Sequence, residues 1–197
     1  MSKTQESELA AAIHNATGVN VAECYQCGKC TAGCPMAKFM DIVPNQIMRL
    51  VQIGDKPSED KLLRSVAIWR CAGCLTCMQR CPNELDPAAV IDALREMSHG
   101  QGKVVKAAKK ILAFHRAFLK TVEKTGRMSE FALTRRYKLA TGDLFSDVGL
   151  APAMLFKGKL SLKSHKIPGR GEIKRIFATC RDASRTEHGR GARGGNR

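Results

Sequence analysis

Eight of the nine cysteines in this 197-residue chain repeat one spacing twice. The runs are Cys24-x2-Cys27-x2-Cys30-x3-Cys34-Pro35 and Cys71-x2-Cys74-x2-Cys77-x3-Cys81-Pro82. Steps of three residues let a tight loop aim three thiolates inward, while a fourth, placed before a proline, arrives from farther along the chain. Four converging thiolates are the ligand set of a [4Fe–4S] cluster, so the doubled spacing predicts two such cofactors.

The fourth cysteine of each run is expected to serve the cluster of the other run, as in two-cluster ferredoxins. The eight predicted ligands therefore form two crossed sets. The first set is Cys24, Cys27, Cys30 and Cys81, and the second is Cys71, Cys74, Cys77 and Cys34. This exchange would tie the two halves together and keep the clusters close enough for electrons to tunnel between them.

Structural zinc and disulfides are the alternative uses of so many cysteines. Zinc sites usually take two cysteine pairs about a dozen or more residues apart, whereas each set of four here is compact and ends in Cys-Pro. Disulfides belong to exported proteins, and the polar stretch Met1–Glu8 has no apolar segment typical of a secretory signal. We therefore expect iron–sulfur clusters, reduced thiolates and a cytoplasmic location.

Charge is distributed unevenly along the chain. Residues 1–100 carry 10 Lys and Arg against 11 Asp and Glu, and residues 101–197 carry 23 against 7. A basic segment can bind nucleic acid, but this one has no aromatic stacking pattern and no nucleic-acid motif. We expect no nucleic-acid partner, and we expect the basic half to dock on acidic surfaces of partner subunits.

Hydrophobic periodicity is helical almost throughout, which predicts a mainly α fold with an α-helical ferredoxin core. Two helices are predicted between the cysteine runs. The first has Pro44 in its first turn and ends at Gly54. The second has Ser58 as its N-cap and extends far enough to include Trp69.

Three more helices are predicted beyond the second cysteine run. The first starts at Asp86-Pro87 and ends at Gly100, the next covers residues 103–124, and the last covers residues 129–141. The longest apolar runs are far shorter than the roughly twenty residues that cross a bilayer, so no transmembrane segment is expected.

These patterns divide the chain into three regions. Residues 1–100 form the predicted α-helical ferredoxin domain, residues 101–179 a helical and irregular extension that docks on partners, and residues 180–197 a disordered basic tail. Cys180 lies outside both runs and is interpreted as a small side chain without a special role. Small residues in the loops, Gly28, Gly33 and Gly73, are predicted to let the backbone approach cluster sulfurs.

Several motifs of the chain resemble those of a known protein family. The paired cysteine runs on a helical core resemble the C subunit of heterodisulfide reductase and its bacterial relatives, and the similarity is drawn over most of residues 20–179. The cysteine runs alone are shared with fumarate reductase iron–sulfur subunits and glycolate-oxidase-type proteins. The narrower resemblance comes from Phe114-His-Arg-Ala-Phe118, Gly126-Arg127, Arg136-Tyr-Lys-Leu139, Thr141-Gly-Asp-Leu-Phe145, Lys166-Ile-Pro-Gly-Arg170 and Ile173-Lys-Arg-Ile-Phe177.

The resemblance implies a non-catalytic electron-transfer subunit of an oxidoreductase complex. Its two [4Fe–4S] clusters would relay electrons between two partners that resemble the other subunits of that family, a flavoprotein and a catalytic protein with Cys-Cys-Gly motifs. No two cysteines are adjacent in this chain, so the catalytic site is expected on a partner. The substrate stays open between a heterodisulfide and a sulfur carrier. The alternatives are a free ferredoxin-like carrier and the iron–sulfur subunit of a membrane-associated quinone-linked oxidoreductase.

Overall fold

A computed structural model describes residues 7–142 and 167–191 of the chain. The chain divides into two compact units, Met1–Lys109 and Lys110–Arg197. All regular structure within the described ranges is helical, as the periodicity predicts. The mainly α fold is therefore confirmed.

The first unit carries seven α-helices within its described part, and three 3₁₀ turns connect or extend them. The helices are α1 (Glu8–Thr17), α2 (Lys29–Ala32), α3 (Pro44–Ile53), α4 (Lys56–Leu63), α5 (Ala67–Arg70), α6 (Thr76–Gln79) and α7 (Pro87–Gly100). The 3₁₀ turns are Val21–Glu23, Ala37–Phe39 and Lys106–Ala108. Helix α7 is central, because α1, α3, α4, α5 and α6 all contact it.

The core of this unit lies where the apolar faces of α1, α3, α4 and α5 meet α7. Its largest completely buried side chains are aliphatic, namely Ile13, Ile47, Met48, Val51, Leu62, Leu63, Ile68, Val90, Ile91 and Leu94. Burying each such side chain contributes about 1.5–3 kcal/mol relative to leaving it exposed. The core therefore holds α3 and α7, the two helices that follow the cysteine runs, in one fixed arrangement.

Helices α3 and α7 each begin with a proline in the first turn, as predicted. The residue Asp86 caps α7 by accepting hydrogen bonds from the backbone N–H groups of Ala88 and Ala89. Helix α3 ends at Gly54, whose φ of 59° is the left-handed conformation that glycine adopts without strain. The predicted boundaries of α3 are therefore confirmed.

Helix α4 differs from its prediction at both ends. Its N-cap is Asp55 rather than Ser58, since the Asp55 carboxylate accepts the backbone N–H of Ser58 at 2.9 Å. The helix also ends before Trp69, at Leu63. Asp41 then accepts hydrogen bonds from the Ser65 hydroxyl and the Ala67 N–H and starts α5 separately. Pattern alone missed the break because the partner carboxylate lies 24 residues earlier in the chain.

The predicted helix over residues 103–124 also starts later than expected. Gly102 takes a φ of 66° after α7, and Val105 is extended, so only a 3₁₀ turn precedes the next α-helix. Two adjacent β-branched residues, Val104 and Val105, disfavour a helical start because their side chains restrict rotation at χ1. The α-helix begins at Lys109 instead.

The second unit contains α8 (Lys109–Thr125), α9 (Glu130–Thr141) and α10 (Arg170–Gly191) within its described part. The carboxylate of Glu123 pairs with Lys120 at 2.8 Å and with Arg181 at 2.7 Å, and these contacts lower its pKa to about 2. Helix α10 continues to Gly191, although residues 180–197 are predicted to be disordered. Residues 143–166 of the predicted extension and residues 192–197 lie outside the described residues.

No helix within residues 7–142 and 167–191 is both long and apolar enough to cross a membrane.

Candidate metal centres

The two cysteine loops have the same backbone geometry at equivalent positions, 47 residues apart. In the first loop Gln26 and Gly28 have positive φ angles, of 62° and 75°. In the second loop Gly73 and Leu75 do, with angles of 63° and 58°. Positive φ turns each loop back on itself, and it strains the two residues that are not glycine. Each loop thus makes two sharp reversals while its first three cysteines line one cavity.

The first cysteine loop surrounds an open cavity of about 320 Å³. Four cysteines line it, three from this loop and one from the end of the second run. The complete lining is Cys24, Gln26, Cys27, Gly28, Cys30, Asn45, Met48, Cys81, Leu85 and Pro87. The cavity therefore brings together the four cysteines of the first predicted set.

The second cysteine loop surrounds a similar cavity of about 360 Å³. Its cysteines come from the second loop and from the end of the first run. The complete lining is Cys34, Met36, Met40, Pro44, Cys71, Ala72, Cys74, Leu75, Cys77, Ala88 and Ile91. The four cysteines of the second predicted set therefore share this cavity, although their ligation of a cluster stays a prediction.

The crossing of the two sets follows from the contact between α2 and α6, the single helical turns that carry the ends of the runs. Gly33 ends α2 and Arg80 ends α6. A Cβ atom on Gly33 would lie 2.5 Å from Arg80 Cδ and 2.6 Å from Arg80 Nη1. Gly33 has an ordinary φ of −95°, which any residue can adopt. Glycine is therefore needed here to leave space for the Arg80 side chain, and not to allow a left-handed turn.

Two side chains from the core helices fasten the cysteine loops to the rest of the unit. Gln52 donates from Nε2 to the carbonyl of Cys24 at 2.7 Å and to that of Val21 at 3.0 Å. Arg95 donates to the carbonyls of Cys71 and Ile68. Each loop therefore enters its cavity from a backbone position fixed by the core.

Burial shapes the acidity of several thiols in the metal-free protein. It raises the pKa of Cys77 to about 11, and it also raises the pKa values of Cys30 and Cys71. A hydrogen bond with the Thr76 hydroxyl at 3.4 Å lowers the pKa of Cys74 instead. Because clusters are bound by thiolates, their assembly must displace protons from these half-buried thiols.

Each cavity has one cysteine at the protein surface. Cys27 and Cys74 are exposed, whereas the other six are half-buried. Exposed apolar side chains accompany them: Tyr25 precedes Gln26 in the first loop and is 60% exposed, and Leu75 follows Cys74 and is 47% exposed. Each cavity therefore opens to solvent beside an exposed apolar side chain. Cys180 is an exposed thiol on α10.

The donor set of each cavity fits a [4Fe–4S] cluster. All four donors are sulfur, and small or apolar residues complete most of the lining. No three Cys, His, Asp or Glu side chains of the described ranges are grouped closely enough to hold a single metal ion. The thiolates would bind iron, and the loop backbone would orient them.

The sequence reasoning missed four residues around these cavities: Asn45, Gln52, Arg80 and Arg95. A second repeat in the sequence, separate from the cysteine spacing, could have pointed to most of them. Helices α3 and α7 match with an offset of 43 residues, so that Pro44 corresponds to Pro87 and Gln52 to Arg95. Comparing the helices at this offset identifies three of the four.

Comparison with known proteins supports the presence of two [4Fe–4S] clusters. Residues 23–85 match the family described as a 4Fe-4S dicluster domain. This domain includes all eight cysteines of the two runs and the helices α2 to α6 between its ends. Together with the cysteine runs, the match shows that the chain carries two [4Fe–4S] clusters.

Curated relatives are subunits of heterodisulfide reductases from methanogens. The chain is 35% identical over 100 residues to the C subunit of the ferredoxin:CoB-CoM heterodisulfide reductase of Methanosarcina acetivorans, covering 51% of this chain and 39% of that protein. It is 32% identical over 96 residues to the iron-sulfur C subunit of the CoB–CoM heterodisulfide reductase of Methanopyrus kandleri, covering 49% and 48%.

A third relative is the C subunit of the H(2):CoB-CoM heterodisulfide,ferredoxin reductase of Methanothermobacter thermautotrophicus. The identity is 29% over 109 residues, which are 55% of this chain and 57% of that protein. The chain therefore spans about half the length of the curated relatives it matches. Each match covers 96 to 109 residues, which is less than residues 20–179, the region in which the sequence motifs resemble the family.

Proposed function

We propose that this chain, a member of the family of heterodisulfide reductase C subunits, is the electron-transfer subunit of a heterodisulfide-reductase-like complex. It would relay electrons between a flavoprotein and a catalytic Cys-Cys-Gly subunit that acts on disulfides, thiols or a sulfur carrier. The chain itself would be non-catalytic, and it would work in the cytoplasm, where thiolates stay reduced.

The observation that carries this proposal is the crossed pair of cavities. Each one is completed by a cysteine from the other run, Cys34 or Cys81, so the two sites lie side by side on one core. When bound, the clusters supply reversible one-electron chemistry. The protein supplies the thiolates, the loop backbone and a largely apolar lining that limits contact with water.

A relay also needs separate places for its donor and its acceptor. The exposed Cys27 with Tyr25 marks one surface, and the exposed Cys74 with Leu75 marks another. Each surface places an exposed cysteine of the predicted cluster where a partner could approach it. We assign one surface to the flavoprotein and the other to the catalytic subunit.

The basic second half fits the same arrangement. Residues 101–197 carry 23 Lys and Arg against 7 Asp and Glu, whereas the cluster-bearing half has no positive excess. This half would attract acidic surfaces of partner subunits and steer their association.

Anaerobic purification from the native cell, with mass spectrometry of the proteins that stay bound, tests the proposal. We expect a flavoprotein and a second partner with Cys-Cys-Gly motifs. Recovery with a cytochrome b would favour the quinone-linked oxidoreductase instead. Recovery of the chain alone with both clusters intact would favour a mobile ferredoxin-like carrier.

Surface variants test whether each cluster faces its own partner. Tyr25→Ser and Leu75→Ser each remove one exposed apolar side chain beside a different cavity, and each is expected to release a different partner. Ile53→Ser removes an exposed apolar side chain of α3 that lines neither cavity, and it should release neither partner. Loss of the same partner from both loop variants would contradict the two-surface arrangement.

A further inference from the structure

The two cavities are lined by equivalent positions of α3 and α7 that carry different residues. With an offset of 43, Asn45 corresponds to Ala88 and Met48 corresponds to Ile91. Asn45 and Met48 line the first cavity, and Ala88 and Ile91 line the second. At the residue after the helix-starting proline, the first cavity therefore has an amide where the second has a methyl group.

Hydrogen bonds orient the Asn45 amide. The Thr31 hydroxyl donates to Asn45 Oδ1 at 2.6 Å and accepts the Asn45 backbone N–H at 3.0 Å. The side-chain oxygen is thus occupied by Thr31, which follows Cys30 directly on α2. The Nδ2 group has no acceptor among the residues that the structure describes, while Asn45 contributes to the cavity wall.

A second amide in the first cavity already donates to sulfur. Gln26 Nε2 lies 3.4 Å from Cys24 Sγ, and the equivalent residue of the second loop is Gly73. Two side-chain amides therefore belong to the first cavity, and glycine and alanine stand at their equivalents in the second. This difference gives the first cavity hydrogen-bond donors that the second lacks at those positions.

We propose that the Asn45 amide donates a hydrogen bond to a sulfur of the cluster in the first cavity and raises the reduction potential of that cluster. Reduction adds negative charge to the cluster, so a donor aimed at its sulfurs stabilises the reduced state more than the oxidised state. Thr31 is the positioning residue, because its hydroxyl donates to Asn45 Oδ1 and so leaves Asn45 Nδ2 to donate to the cluster sulfur.

A charge difference between the cavities acts independently of this amide. Arg95 brings a cation to the backbone of Cys71, where Gln52 is neutral at the equivalent position in the first half. Asp92 pairs with Arg95 at 2.7 Å and offsets part of that charge. The amide therefore predicts that the reduction potential of the first cluster falls when Asn45 is lost. It does not predict which of the two clusters has the higher potential.

Potentiometric titration of the full-length, anaerobically purified protein, followed by electron paramagnetic resonance, tests this role. In Asn45→Ala we expect one of the two midpoint potentials to fall and the other to stay, with about eight iron atoms still bound per chain. Gln26→Gly should lower the same midpoint and so assign it to the first cavity. Asn15→Ala, which removes an exposed asparagine of α1, should move neither midpoint.

Thr31→Val keeps the amide but removes the hydroxyl that orients it. We expect the same midpoint to fall by less than in Asn45→Ala, and no further fall when Thr31→Val is added to Asn45→Ala, because an effect of the hydroxyl on the neighbouring Cys30 thiol would add to that of the amide. Unchanged midpoints in a cluster-loaded Asn45→Ala or Thr31→Val, or a shift confined to the other cluster, would overturn the assignment.

Discussion

Gln52 and Arg95 each hold the first cysteine of one loop by donating to backbone carbonyls at equivalent positions of the two loops. Gln52 donates to Val21 and Cys24, and Arg95 donates to Ile68 and Cys71, each 47 residues farther along. The two halves thus hold equivalent carbonyls with different donors: one amide nitrogen of Gln52 serves both carbonyls, whereas Nε and Nη2 of the charged Arg95 serve one each. Arg95 is well covered, with 21% of its side chain exposed.

Removing either donor side chain should loosen one cysteine loop. Gln52→Ala and Arg95→Ala each leave two backbone carbonyls without their donor, which costs about 1–3 kcal/mol for a group that water cannot reach. We expect each variant to release its clusters at lower urea than the parent protein, measured anaerobically by visible absorbance. Arg95→Gln restores an amide donor and should recover part of the loss. Equal urea resistance of all variants would contradict this role of the two side chains.

Gly33 and Arg80 are expected to show a small energetic coupling, because both occupy the contact between α2 and α6. Gly33→Ala places a methyl group 2.5 Å from Arg80 Cδ, and the exposed Arg80 side chain must swing away from α2 to make room, so we expect a loss of stability below about 1 kcal/mol. Arg80→Ala removes the clash, so the double variant should be more stable than the two single losses predict. A double-mutant cycle by urea unfolding measures this coupling. Strictly additive effects would show that the two side chains do not compete for space.

Serine substitution of the fourth cysteines tests the crossed ligation. We expect Cys34→Ser to alter the cluster built mainly by Cys71, Cys74 and Cys77, and Cys81→Ser to alter the other one. The altered cluster is identified by its shifted resonance signal, with Gln26→Gly marking the first cavity. Damage by Cys34→Ser confined to the first cavity would contradict the assignment.

Cluster assembly should depend on pH through the buried thiols. Burial raises the pKa of Cys77 to about 11, so the metal-free protein holds this thiol protonated at neutral pH. Because iron must displace that proton, we expect faster reconstitution at about pH 8.5 than at about pH 7, followed by visible absorbance. The same shift means that the metal-free fold loses stability as pH rises from about 9 to 11.

Equal reconstitution rates across this pH range would show that thiol deprotonation does not limit assembly. Cys74 provides an internal contrast, because the Thr76 hydroxyl lowers its pKa. Thr76→Val should therefore strengthen the pH dependence rather than weaken it.

Local rules explain which parts of the fold could be predicted. The proline and glycine at the ends of α3 act through neighbouring residues, so its boundaries follow from the sequence around Pro44 and Gly54. The end of α4 could not be predicted in this way, because Asp41 reaches across 24 residues to the Ser65 hydroxyl. The late start of α8 could have been predicted from local residues, because the β-branched Val104 and Val105 disfavour a helix. Hydrophobic periodicity alone does not take this preference into account.

The sequence by itself determined the two [4Fe–4S] clusters and the helical character, because cysteine spacing and apolar periodicity are written in consecutive residues. Only the tertiary structure decided which side chains surround each cavity. Asn45 reaches the first cavity through the packing of α3 on the rest of the core, and Arg80 lies between the ends of the two runs through the packing of α2 on α6. Contacts between distant segments depend on how the core closes, and the polarity of each cavity is a consequence of that packing.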